Sequence, residues 1–139
     1  MTENSTIFSK IINKELPAHI VYEDDNFLAF LDINPVNLGH TLLVPKQACR
    51  NIFDMPENLA KELGLVAQKI AVALKKALNA DGVNLIMNNE PAGGQIIFHA
   101  HLHIVPRFLN DGLKSWPGQA GITENVFIET ANKIKANLN

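Results

Sequence analysis

The sequence predicts an α+β domain whose sheet is five-stranded and antiparallel. Three observations indicate this class: strand-like segments joined by short turns, one long amphipathic helix in the middle of the chain, and a later segment in which histidines alternate with apolar residues. Strands connected as hairpins pair antiparallel, and a helix with one apolar side covers a sheet face. A chain of 139 residues supports one domain with a core and is too short for two of ordinary size.

The N-terminal segment predicts a short helix followed by a β-hairpin. Asn4 or Ser5 is suited to cap a helix that ends near Asn13. The apolar residues of this helix fall on one side: Ile7, Phe8, Ile11 and Ile12. Residues 18–22 and 27–31 then predict two strands around a polar turn.

A third strand and the long helix come next. His40 precedes an apolar run over 41–44, which predicts the strand. Asp54 is expected to cap the helix, with Pro56 and Glu57 in its first turn. Apolar residues then recur at three- and four-residue spacing to about residue 79: Leu59, Leu63, Val66, Ile70, Leu74 and Leu78. Such a stripe is typical of a core-facing helix rather than of a cofactor site.

The C-terminal half predicts two more strands and a last helix. Residues 83–88 form the fourth strand and residues 96–105 the fifth, which Pro106 should end because proline cannot donate to a ladder. Residues 108–122 are predicted to be irregular. Thr123 then opens a C-terminal helix with Phe127, Ile134 and Leu138 on one side.

The fifth strand carries three of the five histidines in the chain: His99, His101 and His103. Alternate side chains of a strand point to opposite faces, so the three imidazoles are expected on one face, about 6.6–6.8 Å apart along the strand. Phe98, Ala100, Leu102 and Ile104 would face the core. A lone histidine would be taken as part of a solvated face, but three in strict alternation indicate a site.

Two chemistries are compatible with this strand. Histidines at alternate positions can hold a transition metal, and a third histidine can complete a catalytic zinc site. Alternatively, one imidazole is a nucleophile while its neighbours orient it and bind an anion. The Gly93-Gly94 turn before the strand suits a close approach of backbone N–H groups to a ligand. The strand by itself does not decide between them.

Composition limits the function classes. Hydrophobic residues make up 47% and charged residues 19% of the chain, as in ordinary soluble globular proteins. The formal net charge of −2 provides no overall attraction to nucleic acid. From the sequence we expect neither a secretory signal nor a membrane span, and the single Cys49 excludes an internal disulfide and a cysteine-only metal site. We therefore expect a cytoplasmic protein with neither nucleic acid nor membrane as a partner.

Residues 94–105, Gly-Gln-Ile-Ile-Phe-His-Ala-His-Leu-His-Ile-Val, resemble the signature of the histidine triad (HIT) family. Other segments look like landmarks of that family and occur in its order: Ile7-Phe8 through Ile11, Tyr22-Glu23-Asp24, Phe30 to Pro35, Gly39 to Leu42, and Val44-Pro45-Lys46. The resemblance covers about residues 6–107. It implies a single HIT domain over 1–139, with a C-terminal extension and helix over 108–139.

The resemblance also implies the fold and the chemistry. The HIT fold has a five-stranded antiparallel sheet with helices and is usually paired as a homodimer. Its members hydrolyse or transfer at the α-phosphorus of a nucleotide, and no metal or other cofactor takes part in the chemistry. In the uridylyltransferase branch a glutamine stands at the third triad position, so His103 favours a hydrolase here.

By the same resemblance, His101 matches the nucleophile, which would form a nucleotidyl-histidine that water then cleaves. His99 and His103 match its flanking partners, and His40 matches a fourth histidine near the triad. Asp32 matches the carboxylate that binds the ribose hydroxyls, although an Asp before Ile-Asn-Pro would otherwise be taken as a turn former.

Further positions match the walls of the nucleotide site. Asn88 and the backbone at Gly94 match donors of the phosphate site, and Gln95 matches the family's glutamine. Six match the apolar wall that sandwiches the base and would otherwise be assigned to the core: Ile7, Phe8, Ile11, Phe30, Ile33 and Leu42. The expected substrate is therefore a purine nucleotide. A nucleotide-binding sensor or scaffold with incidental hydrolysis is the alternative, because it needs the same pocket.

The sequence departs from the family pattern at the phosphate site and at a metal site. Ile96 stands where many members have Ser or Thr, which removes a hydroxyl from the phosphate site. Many bacterial members hold a structural zinc with two cysteines, a later histidine and a triad histidine. The first three positions are Thr6, Ser9 and Ala48 here, so we expect no zinc.

Overall fold

A computed structural model describes residues 5–138 and confirms the predicted α+β class. The elements are α1 (Ile7–Ile12), β1 (Ile20–Glu23), β2 (Phe27–Leu31), β3 (Thr41–Pro45), α2 (Glu57–Leu78), β4 (Gly82–Ile86), a short 3-10 turn (Pro91–Gly93), β5 (Leu102–Arg107) and α3 (Glu124–Ala136). Within the described residues the five strands form one antiparallel sheet in the order β1-β2-β3-β5-β4.

The two central strands β2 and β3 are buried on both faces of the sheet. Alternate residues of a strand face opposite sides. Phe27 and Leu43 therefore pack with Ile104 against α2, while Phe30 and Leu42 pack on the other side against α1. Double burial explains why the sequences of β2 and β3 are apolar throughout instead of alternating. The α1 side is the one on which the candidate site forms.

Both early helices start differently from the prediction. The N-cap of α1 is Thr6, not Ser5, and Asn4 lies outside the described residues. Asp54 does not cap α2, whose N-cap is Pro56 without a side-chain bond. The Asp54 carboxylate instead accepts the backbone N–H groups of Arg50 (2.9 Å) and Asn51 (3.0 Å). The aspartate therefore closes a preceding turn, a competing local use of the same side chain.

The fifth strand lies further along the chain than residues 96–105, and its start at Leu102 leaves His99 and His101 in an irregular segment. This segment bonds to a loop rather than to β3: the Ala100 N–H donates to the Cys49 carbonyl at 2.8 Å. Pro106 lies inside β5 instead of ending it. Pairing with β3 stops at Ile104, so the missing N–H costs no bond on that side.

Residues 109–138 form an arm. The Asp111 carboxylate fixes the start of the arm by accepting hydrogen bonds from Arg107 Nε (2.8 Å) and Asn37 Nδ2 (3.1 Å). The predicted helix α3 is present, capped by the Thr123 hydroxyl, but every one of its residues is exposed. Trp116 is 87% exposed. A helix of 13 residues is marginal in water on its own, so the apolar side of α3 requires another surface.

No helix in residues 5–138 combines the length and the apolar composition required to cross a bilayer.

Candidate active site

One open cavity of about 570 Å³ on the α1 side of the sheet collects most of the predicted site residues. Eleven of them line it: Ile7, Phe8, Ile11, Phe30, Asp32, Ile33, Leu42, Asn88, Gly94, His101 and His103. Leu16, Pro17, Ala18, Leu31, Asn34, Ile96 and Ile97 also line it and were not predicted, apart from the departure noted at Ile96. The predicted residues His40, His99 and Gln95 stand behind this lining.

A second cavity, of about 420 Å³, lies on the opposite face between α2 and the β1–β3 part of the sheet. Its walls are almost wholly apolar and include Ala73, Leu74 and Leu78 of α2. It is lined by no histidine or carboxylate. The α1-side cavity is therefore the one in which groups suited to catalysis converge.

His101 is held in the tautomer that a nucleophile requires. Its Nδ1 lies 2.7 Å from the carbonyl oxygen of His99. A carbonyl only accepts, so Nδ1 carries the proton and Nε2 keeps its lone pair. The edge-on ring of Phe8 packs against this imidazole at 5.0 Å between centroids. Burial lowers the pKa of His101, the dominant effect, so the ring is neutral at pH 7.

His103 receives its tautomer from His40. The Val36 N–H donates to His40 Nδ1 (3.1 Å), which places the His40 proton on Nε2. That Nε2 donates to His103 Nδ1 at 2.8 Å. The proton of His103 must then reside on its own Nε2, where it is available to a ligand. Burial, followed by the neighbouring His101 and His40, lowers the pKa of His103 to about 4.

His99 does not share the cavity with its two neighbours. Its ring is 2% exposed, and its Nε2 donates to the carbonyl oxygen of Pro45 at 2.8 Å. Burial lowers its pKa, so it is a neutral, buried ring. The sequence predicted three imidazoles on one face, and the structure separates them because the His99 ring bonds to the Pro45 carbonyl and is enclosed, whereas His101 and His103 reach the cavity. What His99 supplies to the site is its carbonyl, which orients His101.

Asp32 makes a turn contact with one carboxylate oxygen and also lies on the cavity wall. Its Oδ1 accepts the Asn34 N–H at 2.8 Å, which is the contact of a turn former. Its Oδ2 lies 3.8 Å from His40 Nε2, and the side chain is 23% exposed on the cavity wall. One oxygen therefore serves the turn, and the other remains available to a ligand.

Gln95 supports the loop beside the cavity rather than lining it. The side chain is 4% exposed, and its Nε2 donates to the carbonyl oxygens of Arg50 (2.7 Å) and Ile97 (3.1 Å). Its Oε1 accepts from the Glu90 N–H at 2.9 Å. Gly94, with φ of +92°, does line the cavity, and a Cβ there would contact the Asn88 amide at 3.6 Å. Sequence reasoning missed Arg50 and Glu90, since no motif marks them.

A catalytic zinc does not fit the triad. Within the residues that the structure describes, the metal-type ligand atoms that converge within 4.8 Å belong to Asp32, His40 and His103. His40 would have to bind through Nε2, the nitrogen that the Val36 N–H forces to carry the proton. His99 and His101 each direct a ring nitrogen at a backbone carbonyl instead of at a shared point.

The structural zinc of many bacterial members does not fit either. The Thr6 hydroxyl accepts the Ser9 N–H at 3.3 Å, and the Ser9 hydroxyl accepts the Thr6 N–H at 2.8 Å. These two hydroxyls thus form a capping box for α1 at the positions where cysteine ligands would stand. Ala48, at the position of the histidine ligand, offers no donor atom at all.

Comparison with known proteins gives a consistent match. The HIT domain family matches residues 13–110, which contain all five strands and the three triad histidines. An uncharacterized HIT-like protein of Borreliella burgdorferi is 46% identical over 108 residues, covering 76% of this chain and 78% of the relative. The adenylylsulfatase HINT3 of Arabidopsis thaliana is 40% identical over 111 residues, covering 80% of this chain and 56% of the plant protein. The crystal structure of SMU.412c from Streptococcus mutans UA159 superposes with a TM-score of 0.93 at 40% identity, covering 99% of this chain and 88% of that one.

Proposed function

Because the chain belongs to the HIT domain family, we propose that it is a nucleotide hydrolase acting at the α-phosphorus of a purine nucleotide. Its substrate is a nucleoside phosphoramidate, an acyl nucleotide or a dinucleoside polyphosphate. The observation that carries the proposal is the tautomer of His101, whose Nε2 lone pair is left free on a cavity wall. The plant relative is named an adenylylsulfatase, which supports a nucleotidyl substrate.

The reaction proceeds in two displacements. The His101 Nε2 lone pair attacks the α-phosphorus, the bond from phosphorus to the leaving group breaks, and a nucleotidyl-histidine forms. The ring becomes positively charged, and its Nδ1–H bond to the His99 carbonyl strengthens accordingly. Water then attacks the phosphorus, the P–N bond breaks, and the neutral imidazole returns. The His103 Nε2–H donates a hydrogen bond to a phosphate oxygen or to the leaving group, and His103 itself stays neutral. The leaving group takes its proton from solvent as it departs, and the attacking water returns one proton to solvent in the second step.

The cavity walls place the nucleotide. Asp32 Oδ2 accepts from the ribose hydroxyls, and Asn88 and the Gly94 backbone lie on the phosphate side. The purine ring is held between apolar side chains of α1 and of the sheet: Ile7, Phe8, Ile11, Phe30, Ile33 and Leu42. Ile33 is 85% exposed in the free protein, so base binding would cover it.

The function is tested by a screen of hydrolysis across the three substrate classes, with binding of purine nucleotides measured in parallel. Turnover of adenosine phosphoramidate with AMP release is the expected result, and it should persist in the presence of a chelator. Nucleotide binding without turnover of any class would instead identify a nucleotide-binding sensor or scaffold. Loss of turnover with chelator and its recovery with zinc would identify a zinc hydrolase.

The pH profile tests the nucleophile from another direction. Burial lowers the pKa values of His101 and His103, the latter to about 4. A lowered imidazole pKa extends the neutral, nucleophilic form to more acidic pH. We therefore expect the acid limb of kcat/KM to have its midpoint below pH 6.5, the ordinary value for a histidine. A limb at or above pH 6.5, measured with saturating buffer controls, would show that His101 is not the titrating base.

We also propose a homodimer. The edge strand β4 exposes Leu85 at 51%, and an exposed edge must be covered or paired. Antiparallel pairing of β4 with a second β4 would cover this edge. Trp116 would then lie against the partner's site.

Light scattering at micromolar protein concentration tests the homodimer. The expected mass is twice the 15.3 kDa of the chain. Phe127→Asp or Ile134→Asp, each placing a charge on the exposed apolar side of α3, should weaken the assembly, whereas Asn132→Asp on another side of α3 serves as the charge-matched control. A monomeric mass for the unaltered protein would contradict the homodimer.

A further inference from the structure

Glu90 has a backbone conformation that non-glycine residues rarely adopt. Its φ is +70° and its ψ is 159°, a region used almost only by glycine because it strains any residue with a Cβ. Glu90 begins the loop that carries Gly94 to the cavity. Its carbonyl accepts the N–H groups of Gly93 (2.9 Å) and Gln95 (3.2 Å), so the shape of this loop depends on the conformation at Glu90.

The side chain of Glu90 is anchored in a way that opposes this strain. Arg50 donates to its carboxylate from Nε (2.7 Å) and from Nη2 (3.1 Å). The Asn51 amide, 1% exposed, donates to the same carboxylate. Arg50 also stacks on Phe98, with its guanidinium carbon 4.3 Å from the ring centroid. These contacts join both ends of the loop to the 50–51 segment, and the Arg50 ion pair lowers the pKa of Glu90.

From these contacts we propose that Glu90 is a positioning residue: its ion pair with Arg50 holds the strained backbone that directs the Gly94 loop into the nucleotide cavity. The role rests on the proposed hydrolase function only for its kinetic readout. Without the ion pair, the backbone at Glu90 relaxes towards negative φ and carries Gly94 away from the phosphate side. Glycine at this position would hold the same conformation without an anchor.

This logic separates three variants. Glu90→Ala keeps the strain and removes the anchor, so kcat/KM for the adenosine phosphoramidate should fall by about 10- to 100-fold, as expected for a small misplacement of a site loop. Glu90→Gly removes both strain and anchor and should recover activity to within about three-fold of wild type. As a single substitution, Arg50→Ala should reduce kcat/KM. Combined with Glu90→Gly, it should have little further effect.

Amide hydrogen exchange provides a readout that does not depend on turnover. Exchange at residues 93–95, whose N–H groups bond to Glu90 and Pro91 carbonyls, should accelerate in Glu90→Ala and in Arg50→Ala. It should stay near the wild-type rate in Glu90→Gly. The control is Lys61→Ala, which breaks an exposed ion pair with Glu57 on α2, remote from the loop. If the wild type shows no turnover, the proposed function fails while exchange and AMP binding still test the loop.

Three results would overturn the proposal. Equal impairment of Glu90→Ala and Glu90→Gly would show that the carboxylate acts other than by compensating for strain. Unchanged kinetics and exchange in both Glu90→Ala and Arg50→Ala would show that the loop holds its shape without the ion pair. A loss of activity that merely follows the unfolded fraction, and disappears at lower temperature, would show a structural role alone.

Discussion

The His101→Ala and His101→Asn variants are expected to lose turnover by on the order of 10⁴-fold or more while they still bind nucleotide. The lost side chain forms a covalent bond in the reaction, but it contributes little to the ground-state complex. Nucleotide affinity should therefore stay within about tenfold of wild type. His101 lines the cavity, and its Nε2 is the ring nitrogen that is not bonded to the His99 carbonyl. His103, which also lines the cavity, carries its proton on Nε2 instead.

Two measurements check this result together: steady-state turnover of a fluorogenic adenosine phosphoramidate and calorimetric binding of AMP. His19→Asn is the matched control, since His19 is exposed and outside the cavity. Trapping of a nucleotidylated protein in wild type quenched with alkaline denaturant, and its absence in His101→Asn, would identify the intermediate. Retention of a substantial fraction of wild-type turnover by either His101 variant would show that another group is the nucleophile.

Asp32→Ala should weaken ribonucleotide binding selectively, by about ten- to a hundred-fold. Removing a charged acceptor from a hydrogen-bonded pair costs roughly 1.5–3 kcal/mol, which corresponds to that factor. A 2′,3′-dideoxy analogue has no hydroxyls to lose, so its affinity should barely change in the variant. In the wild type the analogue should already bind more weakly by a similar factor, and the two losses should not add.

The structure adds a variant that separates the two oxygens of Asp32. Asp32→Asn keeps an oxygen for the Asn34 N–H and therefore keeps the turn, but it loses the negative charge at the cavity. It should show the ribose-selective loss with an unchanged melting temperature. Equal losses for ribonucleotide and dideoxy analogue, together with a lower melting temperature in Asp32→Ala, would assign the residue to the turn alone.

The periodic spacing of apolar residues predicted the helices and strands well where one packed neighbour determines which side chains are buried. The stripe of α2 was recognised because leucine, valine and isoleucine recur at helical spacing, and these side chains do form the core. The ends of the helices were less predictable. Asp54 was expected to cap this helix, yet the 50–54 turn takes the carboxylate, and a short sequence cannot say which of two nearby donors an aspartate will accept.

The start of the fifth strand also could not be determined from the sequence alone. The alternation from Phe98 to Ile104 reads as one strand, but a strand exists only where a neighbour supplies hydrogen bonds. β3 is in register with β5 at Leu102, His103 and Ile104, while the preceding residues bond to the loop before α2. His99 and Ala100 are both buried, whereas the predicted strand would have buried Ala100 and left His99 on the open face.

Residue identity by itself determined which chemistry this protein has available. Alternating histidines, an aspartate and a glycine turn specified the set, and the spacing was enough to resemble one family. Only the tertiary structure decided what each imidazole does. The proton of His101 is placed by a carbonyl two residues away, and that of His103 by His40, 63 positions earlier. The physical reason is that a neutral imidazole can carry its proton on either ring nitrogen, and a hydrogen-bond partner selects which one. Such partners are defined by distance in space rather than along the chain.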